Sequence, residues 1–262
     1  MFNIPNNTKP SLSLNPVDNS NNGFNNTQNN QQTFGGQGSV NMNNNMNNQF
    51  NTQPQNNMNP NFNNQSYNSN SSNGVILSKG QKVSLSKFNS ALDEIDVCLG
   101  WDVSAQNYDL DSEAFILGAN DKVIGDDWFV FYNQPCSPDG SVRHSGDNKT
   151  GEGSGDDEII SIKLSRVNPS VSKIVFVVTI NEAKQRNLSF AGVANAFIRV
   201  VDKNQNRELV RFNLTEYYST VTSMMVGEIY KKNNEWRFNP IGNGTDDDLM
   251  GLCRRYGVNV AG

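Results

Sequence analysis

The chain has 262 residues, a formal net charge of −5 and only three cysteines. A net acidic chain offers no broad basic face to a phosphate backbone, which argues against a nucleic-acid partner. No apolar run approaches the roughly 20 residues that a membrane-spanning helix needs, and the N-terminus lacks the apolar stretch of a signal peptide. Cys98, Cys136 and Cys253 are too widely spaced for a disulfide framework or a zinc site, which suits a reducing compartment. We therefore expect no membrane span and a cytoplasmic location.

Residues 1–74 differ in composition from the rest of the chain. They carry two charges, Lys9 and Asp18, and more than a third of them are asparagine. Such a segment cannot bury enough apolar surface to offset the entropy lost on ordering it. We predict a disordered, Asn/Gln-rich tail, followed by a single folded domain over 75–262. Two interpretations of the tail stay open: an extension without a fixed role, or a segment that self-associates through its scattered aromatic residues.

Short runs of alternating apolar and polar residues begin at Val75. Alternation with a period of two predicts strands that are buried on one side. The predicted strands are 82–88, 95–101, 113–118, 128–132, 159–164, 173–180, 196–201, 208–214, 224–230 and 236–238. This pattern predicts a mainly β fold, a two-sheet antiparallel β-sandwich whose exposed strand edges offer a second route to self-association. Residues 173–180 are apolar on both faces and should form a central strand, and 231–235 should form a hairpin turn.

A short C-terminal α-helix is predicted to follow the strands. Thr245 suits its N-cap, three aspartates follow near the positive end of the helix dipole, and Arg254 and Arg255 lie in the last turn. Gly257 suits the left-handed residue that ends a helix. The apolar stripe of this helix consists of Leu249, Leu252, Cys253 and Tyr256. We therefore expect Cys253 to be a core residue and not a nucleophile.

The most polar stretch of the folded part runs from Asp147 to Glu158. Carboxylate and amide side chains alternate there with glycines, without an apolar residue. Ca²⁺ takes about six to eight oxygen ligands from such groups, and an ion would order a loop that has no core of its own. The loop has the length of an EF-hand loop, but Lys149, Gly151 and Glu152 stand where that motif needs acid, acid and glycine. A solvated acidic loop between two strands is the alternative.

A second acidic group lies upstream of this loop. Asp109 and Asp111 project to the same face of an extended chain, while Leu110 between them turns inward. Carboxylates held this close repel each other unless a cation or a shared proton intervenes. The alternative is a pair of solvent-facing residues on an exposed edge. A sandwich that brought both acidic groups together would supply at least five oxygen donors, in the range that Ca²⁺ uses.

Several distinct motifs follow one another along the chain from Val75 to the C-terminus. They are Gly100-Trp101-Asp102, Asp109-Leu-Asp-Ser-Glu-Ala-Phe115, Asp139-Gly-Ser-Val142, the loop from Gly146 to Glu158, the strand from Lys173 to Ile180, Ala196-Phe-Ile-Arg199, Gly227-Glu-Ile-Tyr230 and Tyr256-Gly-Val258. Together they resemble the TerD family of tellurium-resistance and general stress proteins, which also includes slime-mould proteins described as cyclic-AMP-binding.

The resemblance implies a calcium-binding, non-catalytic stress-response or signalling module that holds one or two Ca²⁺ ions. The candidate ligands that it implies are Asp102, Asp109, Asp111, Asp147, Asn148, Asp156, Asp157 and Glu158. Two positions depart from the family's usual pattern. Ser154 stands where an aspartate is common, which removes one donor, and Asn181-Glu182 replaces a His-Asp pair. The alternative function that the resemblance implies is a cyclic-AMP-binding regulatory protein.

The sequence contains no recognisable catalytic motif and no motif of the usual cyclic-nucleotide pocket. His144 is the only histidine, and no nucleophile motif accompanies it. The motifs of serine hydrolases, zinc proteases and phosphate-binding loops are all absent. The jelly-roll pocket for cyclic nucleotides needs a glycine-rich turn, an acidic residue and a phosphate-binding arginine, and we find no such arrangement. We expect that the protein is not an enzyme and that cyclic AMP, if bound, uses another route.

Overall fold

The structure is a computed structural model that describes residues 74–103, 108–148, 155–214 and 219–260. The tail over residues 1–73 lies outside the described residues, so its predicted disorder stays a prediction.

The described part of the chain is mainly β. Its strands are β1 (Val75–Ile76), β2 (Val83–Ser84), β3 (Glu94–Val103), β4 (Leu110–Leu117), β5 (Phe129–Val130), β6 (Val142–His144), β7 (Glu158–Lys163), β8 (Lys173–Ile180), β9 (Val193–Asp202), β10 (Arg207–Asn213), β11 (Ser223–Lys232) and β12 (Glu235–Thr245). Its α-helices are α1 (Ala183–Arg186) and α2 (Leu249–Tyr256). Of the helices in these described residues, none has the length and apolar character needed to cross a membrane.

The strands form two six-stranded sheets, as the predicted sandwich requires. One sheet has the order β1-β10-β9-β3-β7-β6, and the other has the order β2-β12-β11-β8-β4-β5. Strand β8 is central, as predicted from its two apolar faces. All neighbouring strands are antiparallel except β1 and β10, which run parallel with Val75 opposite Val210. The predicted antiparallel sandwich is confirmed with this pair as the exception, which the sequence could not reveal because side-chain alternation has the same period in both strand directions.

Two predicted strands are shorter than the sequence pattern indicated. The predicted strand over 82–88 narrows to β2, which is followed by a 3₁₀ helix at Leu85–Lys87. The predicted strand over 128–132 narrows to β5, which follows a 3₁₀ helix at Asp126–Trp128. Short helical turns can bury apolar side chains such as Leu85 without a ladder, so the apolar pattern alone did not show where the strands end. The four-residue helix α1 was not predicted at all.

The strand β4 is buried on both faces and contributes to two apolar cores. Its Leu110, Ala114 and Ile116 face the main core between the two sheets. Its Phe115 and Leu117 face a smaller core that α2 covers. Besides these two residues, the smaller core contains Phe129, Phe131, Val175, Val177, Leu252, Cys253 and Val258. Cys253 is therefore a core residue, as predicted, and all three cysteines are free thiols.

Helix α2 begins later than the sequence indicated. Its N-cap is Asp248, whose carboxylate accepts a hydrogen bond from the backbone N–H of Gly251 at 2.8 Å. Thr245, the predicted N-cap, is instead the last residue of β12 and pairs with Ser223. Several N-capping residue types follow one another here, and sheet pairing decides among them. The helix ends as predicted at Gly257, which has the left-handed φ of 82°.

The hairpin between β11 and β12 is the predicted one. Its two turn residues, Asn233 and Asn234, have φ of 53° and 62°. Two left-handed residues in a two-residue loop match the turn whose twist suits paired strands, and asparagine tolerates this conformation better than most residues.

Candidate metal site

Three of the candidate ligands meet beside β4. One carboxylate oxygen from each of Asp109, Asp111 and Asp147 lies within 4.8 Å of the other two. Asp109 precedes β4, Asp111 is the second residue of β4, and Asp147 follows β6. Asp109 and Asp111 are buried, whereas Asp147 is exposed. The sequence predicted that the two acidic segments would come together, and for these three residues they do.

The alternation of β4 sets the direction of its two aspartates. Leu110 turns into the main core, as predicted, so Asp109 and Asp111 lie on the opposite side of the strand. Asn181, which follows β8, donates from its backbone N–H to the carbonyl oxygen of Asp109 at 2.8 Å. Its side-chain amide donates to Asp109 Oδ2 at 3.0 Å. Asp109 is thus fixed to the end of the neighbouring strand, and the predicted solvent-exposed edge does not describe these two residues.

Tyr132 lies in the electrostatic field of this cluster. Burial, as the largest cause, and the negative charges of Asp111, Asp147, Glu113 and Asp109 together raise the pKa of its phenol to about 12. Four carboxyl groups therefore act on one aromatic side chain. Such a concentration of negative charge favours a bound cation.

Glu113 is a further acidic residue of this region, and sequence reasoning missed it. It lies on the same side of β4 as Asp111, and its side chain is fully buried. Its Oε1 accepts a hydrogen bond from Thr179 Oγ1 at 2.7 Å, while its buried Oε2 has no hydrogen-bond partner in the described part of the chain. Burial raises the pKa of Glu113 well above its ordinary value, and the charge of Asp111 raises it further. The i, i+2 spacing from Asp111 was the signal that could have revealed it.

Glu158 lies inside the sandwich and not on the outer side of β4. It is the first residue of β7, and it faces inward together with Ile160 and Ile162. Its Oε2 accepts a hydrogen bond from the backbone N–H of Ser112 at 2.7 Å. Its Oε1 accepts one from the backbone N–H of Asn148 at 3.2 Å. Both oxygens of this candidate ligand are therefore engaged by backbone donors.

His144 lies against Glu158 in the same interior position. Its Nε2 is 3.4 Å from Glu158 Oε2 and 3.1 Å from both the carbonyl oxygen and the Oγ of Ser112. Its Nδ1 accepts a hydrogen bond from the backbone N–H of Gly146 at 3.0 Å. This contact fits the tautomer in which Nδ1 is the acceptor and Nε2 the donor.

Asp157 and Asp102 form a second acidic pair. Asp157 Oδ2 accepts a hydrogen bond from the backbone N–H of Trp101 at 2.7 Å. Burial raises the pKa of Asp157, the Trp101 hydrogen bond opposes this shift, and the charge of Asp102 adds to it. Asp102 is exposed and accepts a hydrogen bond from Asn195 Nδ2 at 2.6 Å. The side-chain amide of Asn148 contacts the carbonyl oxygen of Asp157 at 3.2 Å, so it connects this pair to the loop that carries Asp147.

Asp156 is held by an arginine. Arg199, on β9, donates from Nε to Oδ1 at 2.8 Å and from Nη2 to Oδ2 at 2.7 Å. Both carboxylate oxygens therefore face a guanidinium group, which leaves this candidate ligand poorly placed to hold a cation. The middle of the acidic loop, residues 149–154 with the unusual Ser154, lies outside the described residues.

Comparison with known proteins identifies the family. The model of the TerD domain matches residues 74–256. The chain belongs to the TerD family. Among relatives of this TerD domain, the tellurium resistance protein TerD of Serratia marcescens is 49% identical over 190 residues, which cover 71% of this chain and 99% of the relative. General stress protein 16U of Bacillus subtilis (strain 168) is 44% identical over 190 residues, covering 71% of this chain and 98% of the relative.

A solved structure shares the fold of this TerD domain. It is a homologue of telluride resistance protein (TerD) from Streptomyces coelicolor A3(2), which matches with a TM-score of 0.50 and 24% sequence identity. The match covers 65% of this chain and 100% of that chain. At this identity the likeness concerns the fold alone.

Proposed function

We propose that the protein is a non-catalytic, calcium-binding member of the TerD family that acts in a stress response. The convergence of Asp109, Asp111 and Asp147 is the observation that carries the calcium part of this proposal. The stress-response part follows from the family and from the names of the relatives in Serratia and Bacillus.

The residues present fit a hard divalent cation. The three clustered side chains offer carboxylate oxygens alone, which suit Ca²⁺ and Mg²⁺ better than zinc or copper. Oε2 of Glu113, which has no hydrogen-bond partner among the described residues, lies in the same field of negative charge, which a bound cation would offset. Ca²⁺ tolerates irregular geometry and exposed ligands from a loop, whereas Mg²⁺ demands a small octahedral site. The acidic loop therefore favours Ca²⁺.

Asp109, Asp111 and Asp147 are the proposed direct ligands of one ion. Asp102 and Asp157 are the proposed carboxylates of a second ion, with Asn148 between the two groups. In this assignment, the carboxylate of Asp156 stays with Arg199 and takes no part in either ion site.

The position of the histidine supports a non-catalytic function. The contact between Ser112 Oγ and His144 Nε2 brings together the residue types of a hydrolase, but both residues are buried between the sheets. A nucleophile must reach its substrate, and Ser112 is only 1% exposed. The Ser–His–Glu group therefore has a structural role in this proposal.

Isothermal titration of the full chain with Ca²⁺, and separately with cyclic AMP, tests the proposal. We expect saturable heat with Ca²⁺ and none with cyclic AMP. Asp111→Ala should weaken Ca²⁺ binding at least tenfold, because the site loses a charged ligand. Asp246→Asn is the matched control, since Asp246 is an exposed aspartate outside both acidic groups. Heat from cyclic AMP without heat from Ca²⁺ would instead support the cyclic-AMP-binding alternative.

A further inference from the structure

We propose that Glu158 is a positioning residue and not a metal ligand. Together with His144, it holds the backbone on both sides of Asp147 and so brings this aspartate to the two aspartates of β4. This inference rests on the proposed calcium site, and it concerns how the loop ligand reaches that site.

The direction of Glu158 separates it from the ligand cluster. Along β7, Glu158 shares its face with Ile160 and Ile162, which belong to the main core between the sheets. Along β4, Asp111 shares its face with Phe115 and Leu117, which belong to the smaller core on the other side of the strand. The Glu158 carboxylate and the Asp111 carboxylate therefore approach β4 from opposite sides.

The first hydrogen-bond partner of Glu158 is the backbone N–H of Ser112, which the short strand β5 leaves unpaired. Strand β5 pairs only with Ala114 and Phe115 of β4, so it does not reach Ser112. The backbone N–H of Ser112 would otherwise be buried without an acceptor, which is costly, and Glu158 Oε2 satisfies it at 2.7 Å. Glu158 thereby joins β7 of one sheet to β4 of the other.

His144 and Glu158 bind the backbone of the two residues that flank Asp147. The backbone N–H of Gly146 donates to His144 Nδ1 at 3.0 Å, and the backbone N–H of Asn148 donates to Glu158 Oε1 at 3.2 Å. His144 and Glu158 also meet each other, with Nε2 and Oε2 3.4 Å apart. One interior pair therefore fixes the chain immediately before and immediately after the loop ligand.

The hydrogen bonds of the His144–Glu158 pair leave no need for a metal ion on Glu158. With His144 Nδ1 facing the N–H of Gly146, Nε2 is the ring nitrogen that faces Ser112 and Glu158. The buried Glu158 carboxylate thus receives a buried backbone donor from Ser112 and a partly buried one from Asn148, and it lies beside His144 Nε2. A buried carboxylate with this set of donors is satisfied without a metal ion. Partners that orient ligands in this way typically change metal affinity by about ten- to a hundredfold when they are removed.

Terbium luminescence on the full chain separates a positioning role from a ligand role. Tb³⁺ substitutes for Ca²⁺, and lifetimes in H₂O and D₂O count the water molecules on the bound ion. We expect Glu158→Met to weaken Tb³⁺ binding about ten- to a hundredfold with no change in the water count. Asp111→Ala should weaken binding and also add about one water, because it removes a ligand. The more conservative Glu158→Gln serves if the Met variant does not fold, and it should show the same unchanged water count.

Amide hydrogen exchange without metal supplies an independent readout. The N–H groups of Gly146 and Asn148 should be protected in the parent chain, and Asn148 should lose protection in both Glu158 variants. An added water on the ion in the Glu158 variants, or unchanged affinity, would overturn this inference while leaving the calcium proposal intact. Failure of the parent chain to bind Ca²⁺ or Tb³⁺ would overturn both.

Discussion

The carboxylate of Asp156 forms two parallel hydrogen bonds with the guanidinium group of Arg199, at 2.8 and 2.7 Å. Arg199 also donates from Nη1 to Glu208 at 3.0 Å, so β9 carries an arginine that bridges two carboxylates. The hydrogen bond to Asp156 raises the pKa of Arg199 above its already high ordinary value. Within one run of three acidic residues, Asp156 is therefore committed to an ion pair, while its neighbours Asp157 and Glu158 have other partners.

We predict that Asp156→Asn destabilises the fold without weakening calcium binding. Loss of a bidentate, partly buried pair should lower the free energy of unfolding by about 2 kcal/mol. The Ca²⁺ affinity should stay within about twofold of the parent value, since Asp156 is not a proposed ligand. Urea unfolding and calorimetric titration measure the two quantities, with Asp246→Asn as the control. A large loss of affinity at unchanged stability would return Asp156 to the ligand set.

We predict that the stabilising contribution of the Glu208 carboxylate is lost in acid. Burial raises its pKa, but hydrogen bonds from Arg211 and Arg199 outweigh burial and hold the pKa below the ordinary value for a glutamate. A carboxylate with a lowered folded-state pKa contributes its full stability above the unfolded-state pKa, and this contribution disappears as the pH falls from there through the folded-state pKa. Glu208→Gln should thus be less stable than the parent chain at pH 7, and the difference should shrink as the pH falls below about 4.5. Urea unfolding of both chains between these pH values tests this prediction. A stability difference between parent and variant that did not depend on pH would contradict it.

Calcium should raise the melting temperature of the parent chain. An ion that binds only the folded state adds about 2.7 kcal/mol of stability at a hundredfold excess over Kd. Mg²⁺ should add less, because it gives up its water reluctantly. Melting curves with Ca²⁺, Mg²⁺ and a chelator test this, and Asp111→Ala and Asp157→Ala should reduce the response. Equal midpoints with Ca²⁺ and with chelator in the parent chain would falsify the metal proposal.

The start of helix α2 should be sensitive to Asp248 and not to its neighbour Asp246. Asp248→Ala removes the acceptor for the Gly251 N–H and should cost about 1 kcal/mol. Asp246→Ala removes an exposed side chain and should change the stability by less than about 0.5 kcal/mol. Thermal or urea unfolding compares the two variants. Equal effects would show that Asp248 does not cap the helix.

The boundary near Val75 stays a prediction from composition. Limited proteolysis of the full chain should leave a resistant fragment that begins close to this residue, because the preceding segment has too few apolar residues to fold. Mass spectrometry of the fragment locates its first residue. A protected fragment that began well inside residues 1–74 would contradict the predicted division.

Local patterns in the sequence determined most of the fold. The period-two alternation located most of the other long strands, a continuous apolar run located β8 with its observed bounds, and the two asparagines after Lys232 located the hairpin. The same alternation placed Asp109 and Asp111 on one side of their strand with Leu110 inside. Cys253 fell in the apolar stripe of a helix and is buried there. Each of these features depends on which side of its own element a residue faces, and that information is local.

Only the tertiary structure decided what each acidic residue does. Asp156, Asp157 and Glu158 are consecutive and chemically alike, yet each has a different partner. Asp156 pairs with Arg199, Asp157 accepts a hydrogen bond from a backbone N–H of β3, and Glu158 is buried inside the sandwich, where it accepts one from β4. The sequence also did not reveal the parallel direction of β1 or the full burial of Glu113, because both depend on strands that are distant in the chain. A strand pattern shows which way a carboxylate points, but its partner comes from another strand more than 40 residues away in several of these cases. The partner determines whether the group forms an ion pair, positions a loop or is left to hold a cation.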